Sequence, residues 1–324
     1  LRPETETAII VAQTSLTSKE AVMRRALVVL GMLAVCAGGA VAQPTEVELA
    51  DWAIRHWEVL GTGDAAAVAG WFAAAGGVAF LGTPWDGFYY GDAVPAAWES
   101  FFGGVGVGGH SLTGQVRLWP ATLLVHGTME LTVRGGTLVV ESALRFDTAG
   151  KIVAADLIVA QGLNVPVPVV DGQITSGEYP RSVREEEGGV EISWRNGLVV
   201  LFAALRSPGT GWVAAGFDPV RRMQGANFIM AAVTPEGLVI EDHFGTGATA
   251  HRRDGREDIL RAAGTVAGGQ TIVEFVIPLD SGDAEDKPLV PGQTYTVLLA
   301  YHRSAASFTV IHTARGSVQM ELKD

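Results

Sequence analysis

The sequence predicts two domains: an α+β unit, then an all-β antiparallel sandwich. Three observations predict this. Helical periodicity is confined to the region between residues 44 and 102, and strand-like runs separated by tight turns follow it. Beyond residue 171 the chain consists of short β-rich runs broken by Gly, Pro and Asp clusters, with no long helical period between them. A length of 324 residues at 48% hydrophobic suffices to bury two ordinary cores.

The elements follow in order. Met23, Arg24 and Arg25 precede an uncharged apolar run that ends in Ala40-Val41-Ala42. A basic start, a short apolar stretch and an Ala-x-Ala site make a secretory signal peptide over 23–42, with cleavage near Ala42. Export to the periplasm or the extracellular space is therefore expected, with residues 1–22 a non-native upstream extension and translation starting at Met23. The apolar run is too short to span a bilayer, so no transmembrane segment is expected in the mature chain. Cys36, the single cysteine, lies inside this signal. The mature chain then has no disulfide, no thiolate metal site and no Cys-x-x-Cys-His haem attachment. A lipoprotein reading, with Cys36 acylated, is the alternative, although Val35 is a poor residue before the cysteine.

Residues 44–60 read as an amphipathic helix, with Val47, Ala50, Ile54, Trp57 and Val59 near the helical period. Gly61-Thr62-Gly63 stops it, and Asp64 caps a second helix expected through Ala75. A third helix is expected over 94–102. Strands follow over 111–119, 122–133, 137–146 and 152–159, joined by tight turns such as Arg134-Gly135-Gly136 and 147–150. Helices first, then a meander, is α+β order. The connector 161–170 carries Pro166 and Pro168 and should be extended and stiff. Strands of the sandwich are expected over 198–205, 226–233, 271–277 and 294–301.

A formal net charge of −12 argues against nucleic acid and anionic membranes as partners and favours basic ones. The glycines of 103–109 lack the lysine of a phosphate-binding loop, and zinc-type His/Glu spacing is absent. The candidate residues for chemistry are Met223 and His312, neither of which is informative alone. Met and neutral His together clamp a haem iron from both sides, leave no open position and favour electron transfer. Met223 sits between Arg221, Arg222 and Gln224, polar neighbours that a core methionine seldom has. Met230 and Met320 lie in apolar strands and read as core packing; His302 reads as a rim residue.

The segments around the pair resemble the DOMON family from about residue 169 to 322. The resemblance rests on DGQITSGEYP (171–180), GWVAAGFDP (211–219), EDHFGTGATAHRRD (241–254) and HTARG (312–316). It implies that Met223 and His312 are the axial ligands of a non-covalent haem b, as in haem-binding members, and that the domain transfers electrons. Arg221 and Arg222 would pair with the propionates or remain solvated. Other members bind sugars or have no known ligand. The region 45–160 resembles the SnoaL or ketosteroid-isomerase-like cone, on the helix-GTGD-helix opening and RFDTAGKIVAADLIV (145–159). Asp86, Tyr89, Tyr90, Asp92, His110 and His126 are polar candidates for a cone lining, against a reading of 85–90 as a loop over the cone mouth. Three classes result: an exported b-type cytochrome module with an unidentified redox partner and the cone as docking or homodimer unit, a haem-free carbohydrate or small-molecule binder, and a cone enzyme with an accessory sandwich.

Overall fold

Chain contacts divide the computed structural model into two compact units, 43–77 with 90–154, and 78–89 with 155–323. The structure describes residues 43–163 and 165–323, so the proposed signal and the extension before it lie outside the described residues. Strand predominates, and among the described residues no helix is long and apolar enough to cross a membrane.

Helix α1 (Glu46–Leu60) begins at a capping box: Thr45 Oγ1 accepts the Glu48 N–H at 3.2 Å and the Thr45 N–H donates to Glu48 Oε2 at 2.9 Å. Its buried stripe is Leu49, Ala50, Ala53, His56, Trp57 and Leu60, whereas Val47 faces solvent. The stripe is thus turned by about one position from the expected one. Asp64 caps α2 (Ala65–Ala69) as expected, accepting the Ala67 N–H at 3.0 Å. The helix stops at Gly70, and the predicted extension to Ala75 gives way to strand β1 (Phe72–Leu81). Val78, Ala79, Phe80 and Leu81 are all buried in β1. A strand flanked on both sides overrides the helical preference of its alanines.

Residues 87–90 form a strand, β2 (Gly87–Tyr90), where a loop was expected. Helix α3 (Ala93–Val105) contains the predicted third helix. The expected 111–119 strand is broken into β3 (Gly109–Leu112) and β4 (Arg117–Trp119). The rest of the meander is β5 (Leu124–Val133), β6 (Gly136–Phe146) and β7 (Ile152–Gln161). The sheet order is β2-β1-β7-β6-β5-β3, with β4 paired to β5.

The sandwich has a five-stranded sheet, β15-β16-β10-β9-β8, and a six-stranded one, β14-β13-β12-β11-β17-β18. The first comprises β8 (Arg181–Arg184), β9 (Glu191–Asn196), β10 (Val200–Ser207), β15 (Arg261–Ala267) and β16 (Gln270–Pro278). The second comprises β11 (Val213–Phe217), β12 (Asn227–Thr234), β13 (Gly237–Gly247), β14 (Ala250–Arg253), β17 (Thr294–Tyr301) and β18 (Ala314–Glu321). Alternate residues of both sheets, such as Leu201, Ala203, Phe275, Ala215, Ile229 and Leu299, fill one core.

The motif at 171–180 acts as a latch onto the other face of the five-stranded sheet, to which Glu274 points between the core residues Val273 and Phe275. Glu274 of β16 is fully buried, and its Oε2 accepts the N–H groups of Asp171, Gly172 and Gln173 at 3.1, 2.7 and 3.1 Å. The Tyr179 hydroxyl donates to Glu274 Oε1 at 2.7 Å. Burial raises the Glu274 carboxyl, and these donors act in the opposite direction.

Candidate functional site

An antiparallel sheet on the outside of a sandwich ordinarily turns one face to the core and the other to water. The six-stranded sheet is apolar on both. On β11, Val213, Ala215 and Phe217 enter the core, so Ala214 and Gly216 point outward. The register carries this outward face across the strands. One row runs Ser317, Leu298, Gly216, Phe228, His243 and Arg253. The next runs Arg315, Ala300, Ala214, Met230 and Glu241. Each row is apolar in the middle and charged or polar at its ends. The central residues Ala214, Phe228 and Met230 are 3%, 6% and 3% exposed, so this face is covered.

The cover is the segment 302–313 between β17 and β18. Its backbone is stitched to the chain entering β11: Thr210 N–H to Arg303 O, Trp212 N–H to Ala305 O and His302 N–H to Trp212 O, at 2.8, 2.9 and 2.8 Å. The approach is close enough that a Cβ on Gly211 would lie 2.5 Å from the carbonyl oxygens of Ala305 and His302. The Trp212 indole N–H donates to Val310 O at 3.2 Å. Phe308 from this segment packs against the outward cluster of Trp212, Ala214, Phe228 and Met230.

Met223 packs against the same cluster from the turn between β11 and β12. That turn bends at Arg222, whose φ is 52°, and is held to β13 by Gly225 N–H to Gly245 O at 2.7 Å and Gly245 N–H to Ala226 O at 2.9 Å. A Cβ on Gly245 would lie 1.8 Å from the Met223 carbonyl oxygen, so this position requires glycine. His312 is half-buried four residues beyond Phe308. Desolvation, then the positive charge of Arg315, lowers its pKa and favours the neutral imidazole. The fold thus brings the Met223 turn and the segment carrying His312 to one sheet face. Arg221 and Arg222 are both exposed at the outside of the Met223 turn.

Met230 is buried as expected, but on the outward face instead of in the sandwich core; Met320 is in that core. The His302 ring does more than line a rim. Its Nδ1 accepts the N–H groups of Ser304 and Ala305 at 3.1 and 2.7 Å and so shapes the covering segment.

The cone-lining candidates are dispersed. Asp86 pairs with Arg195 of β9 and Tyr89 donates to Trp85 O at 2.8 Å. Tyr90 is exposed, and Asp92 stands at the start of α3. His110 packs over Gly61. His126 is buried 3.5 Å from Glu141, on the opposite sheet face from Gly127, over which Trp57 of α1 lies.

A histidine pair was not singled out from the sequence. His243 Nδ1 lies 3.0 Å from His251 Nδ1, and His243 Nε2 lies 2.8 Å from Glu241 Oε2. Both rings, with Arg252, Arg253 and Phe308, line an open cleft of about 570 Å³ beside the covered face. The sequence signal was the Glu-x-His spacing of 241 and 243, which places both side chains on one strand face.

Residues 186–302 match the DOMON domain family. The second unit carries a DOMON domain. The match includes the Met223 turn and ends ten residues before His312. DBH-like monooxygenase protein 1 of Homo sapiens is 27% identical over 130 residues, 40% of this chain and 21% of that protein. Its Mus musculus counterpart is 29% identical over 126 residues, 38% and 20% of the two chains. The aligned part thus spans about a fifth of the length of these curated relatives. Among solved structures, the cytochrome b domain of pyranose dehydrogenase from Coprinopsis cinerea aligns at a TM-score of 0.35 and 8% identity, over 43% of this chain and 80% of that one. A DUF4783 family protein from Bacteroides ovatus aligns at 0.27 and 14%, over 32% of this chain and 91% of its own.

Proposed function

We propose that the DOMON domain holds a non-covalent haem b with Met223 and His312 as axial ligands, and serves as an electron-transfer module. The observation that carries this reading is the outward face of the six-stranded sheet. It is apolar, with the Phe228 ring over Gly216 and Phe308 packed on it, a cover that a haem would replace, and Met223 and the segment carrying His312 both lie along it. A flat, largely apolar group suits such a floor, and the donor set suits its metal: a thioether, and an imidazole whose neutral form is favoured by its surroundings. When bound, the haem would supply a one-electron couple, and Met223 and His312 would hold its iron. The chain's own residues would fix and shield it. Trp212 holds the covering segment down, Phe308 excludes water, and Arg221 and Arg222 offer cations beside the Met223 turn. The remaining parts of the proposal are export of the mature chain, a basic redox partner favoured by the acidic charge, and a ketosteroid-isomerase-like cone at the N-terminus serving docking or homodimerisation.

The test is the absorption spectrum of the protein purified from haem-replete cells. A low-spin Soret band is expected in both oxidation states. His312→Ala should lose most of the haem, and Met223→His should keep it at a lower potential. Protein that is folded and colourless under haem supply overturns the reading. The open cleft lined by His243, His251, Arg252 and Arg253 favours a haem-free binder of a small polar molecule as the second reading.

A further inference from the structure

Asp242 occupies a position that the strand assigns to the sandwich interior. Leu238 and Ile240, on the same face of β13, pack against the core, and its cross-strand partner Ile229 is fully buried. Asp242 itself is only 2% exposed. Beside it is a nearly closed cavity of about 10 Å³, whose other polar lining residues are Asn227, Asp258, Ser281, Asp286 and Lys287. That is room for a single water or ion. One carboxylate oxygen each from Asp242, Asp254 and Asp286 lie within 4.8 Å of one another.

A second observation is independent of this cluster. Asn227, 7% exposed, lines the same cavity from β12, and its Oδ1 has no hydrogen-bond partner. Asp242 Oδ1 and Asp286 Oδ1 are buried and unpartnered as well. Buried polar atoms are nearly always satisfied, so three lone oxygens around one small cavity indicate a missing electrophile. Nearby cations are engaged on outer carboxylates: Arg256 on Asp258 at 3.1 Å, Lys287 on Asp218 at 3.3 Å, and Arg252 on Glu285. Burial and the neighbouring carboxylates push the Asp242 and Asp286 carboxyls well above the ordinary range, and Lys287, which also lines the cavity, has its Nζ on Asp218.

We propose that Asp242, Asp254, Asp286 and Asn227, with Asp258 alongside, bind a calcium ion. All the donors are oxygen and most are carboxylate, which selects a hard cation. Calcium accepts many protein oxygens in irregular geometry, whereas magnesium keeps several waters that a cavity of this size does not hold. The ion would tie four separate segments together: the start of β12, β13, the connector after β14 and the loop after β16. It would thereby brace the β13–β14 hairpin that carries His243 and His251.

The experiment uses the full chain stripped with EGTA, then given 1 mM CaCl₂ or MgCl₂, and read by differential scanning calorimetry and by titration calorimetry. Calcium should raise the transition of the DOMON unit by about 5 °C or more, and magnesium by much less. Asp242→Asn and Asp286→Asn should each abolish the calcium response. Metal-free, both variants should melt at or above the metal-free parent, because each removes a buried like charge; this separates lost binding from lost folding. An unchanged parent, or a calcium response retained in both variants, overturns the site. An equal response to magnesium overturns the assignment to calcium.

Discussion

Tyr179→Phe removes one hydroxyl from the latch of the 171–180 segment and leaves the ring in place. The lost bond is short, 2.7 Å, and its acceptor Oε1 belongs to a glutamate with no solvent exposure, so water cannot replace it. A hydrogen bond to a charged group contributes about 1.5–3 kcal/mol, and complete burial places this one in the upper half, about 2–3 kcal/mol. For a unit of this size that corresponds to a fall in Tm of roughly 4–12 °C. The effect depends on pH with a definite sign. The Glu274 carboxyl is already raised by burial, so its contribution to stability is present in acid and lost as pH rises through its folded pKa. Without the hydroxyl the carboxyl rises further, and the variant should lose stability more steeply from acid to neutral pH. Calorimetry of parent and variant from pH 4 to 8 measures both effects. A loss under 1 °C, or one constant across that range, refutes the claim that the carboxylate is the group held.

Three further outcomes are expected. His56, 1% exposed with its pKa lowered by burial to about 3, should contribute stability that is present above pH 6.5 and lost in acid. The loss at pH 5 is roughly 2 kcal/mol, and His56→Phe should abolish that acid sensitivity in thermal melts. Gly245→Ala should displace the Met223 turn, lowering stability by about 2 kcal/mol or more and, on the haem reading, broadening or abolishing the low-spin band. Trp212→Phe should cost about 1 kcal/mol and speed amide exchange selectively at His302 and Thr313, measurable by mass spectrometry.

The sequence was most legible where chemistry is local. The Gly61-Thr62-Gly63 stop, the Asp64 cap, the 147–150 turn and the 294–301 strand all stand where they were expected. The second helix was misread because an alanine-rich run looks helical until strand pairing decides otherwise. The outward face of the sandwich was harder still. Ala214, Gly216 and Ala300 carry almost no hydrophobic signal singly, and only register gathers them into a floor. Met230 illustrates the limit: alternation tells which residues share a face, not which face meets the core. Asp242 was invisible for the opposite reason. Between Glu241 and His243 it reads as part of a solvated charged run, and only the pairing with Ile229 turns it inward.

The attachment of the 302–313 segment has an evolutionary consequence. Three of the bonds that hold it to the chain entering β11 run main chain to main chain, and the close approach asks chiefly for a glycine at 211. Exposed side chains along it, such as Ser307, Thr309 and Ile311, can therefore change while the strap keeps its path. A lineage could alter the chemistry of the strap's outer surface by substitutions there alone. Such drift would change that surface without first passing through an unstable protein.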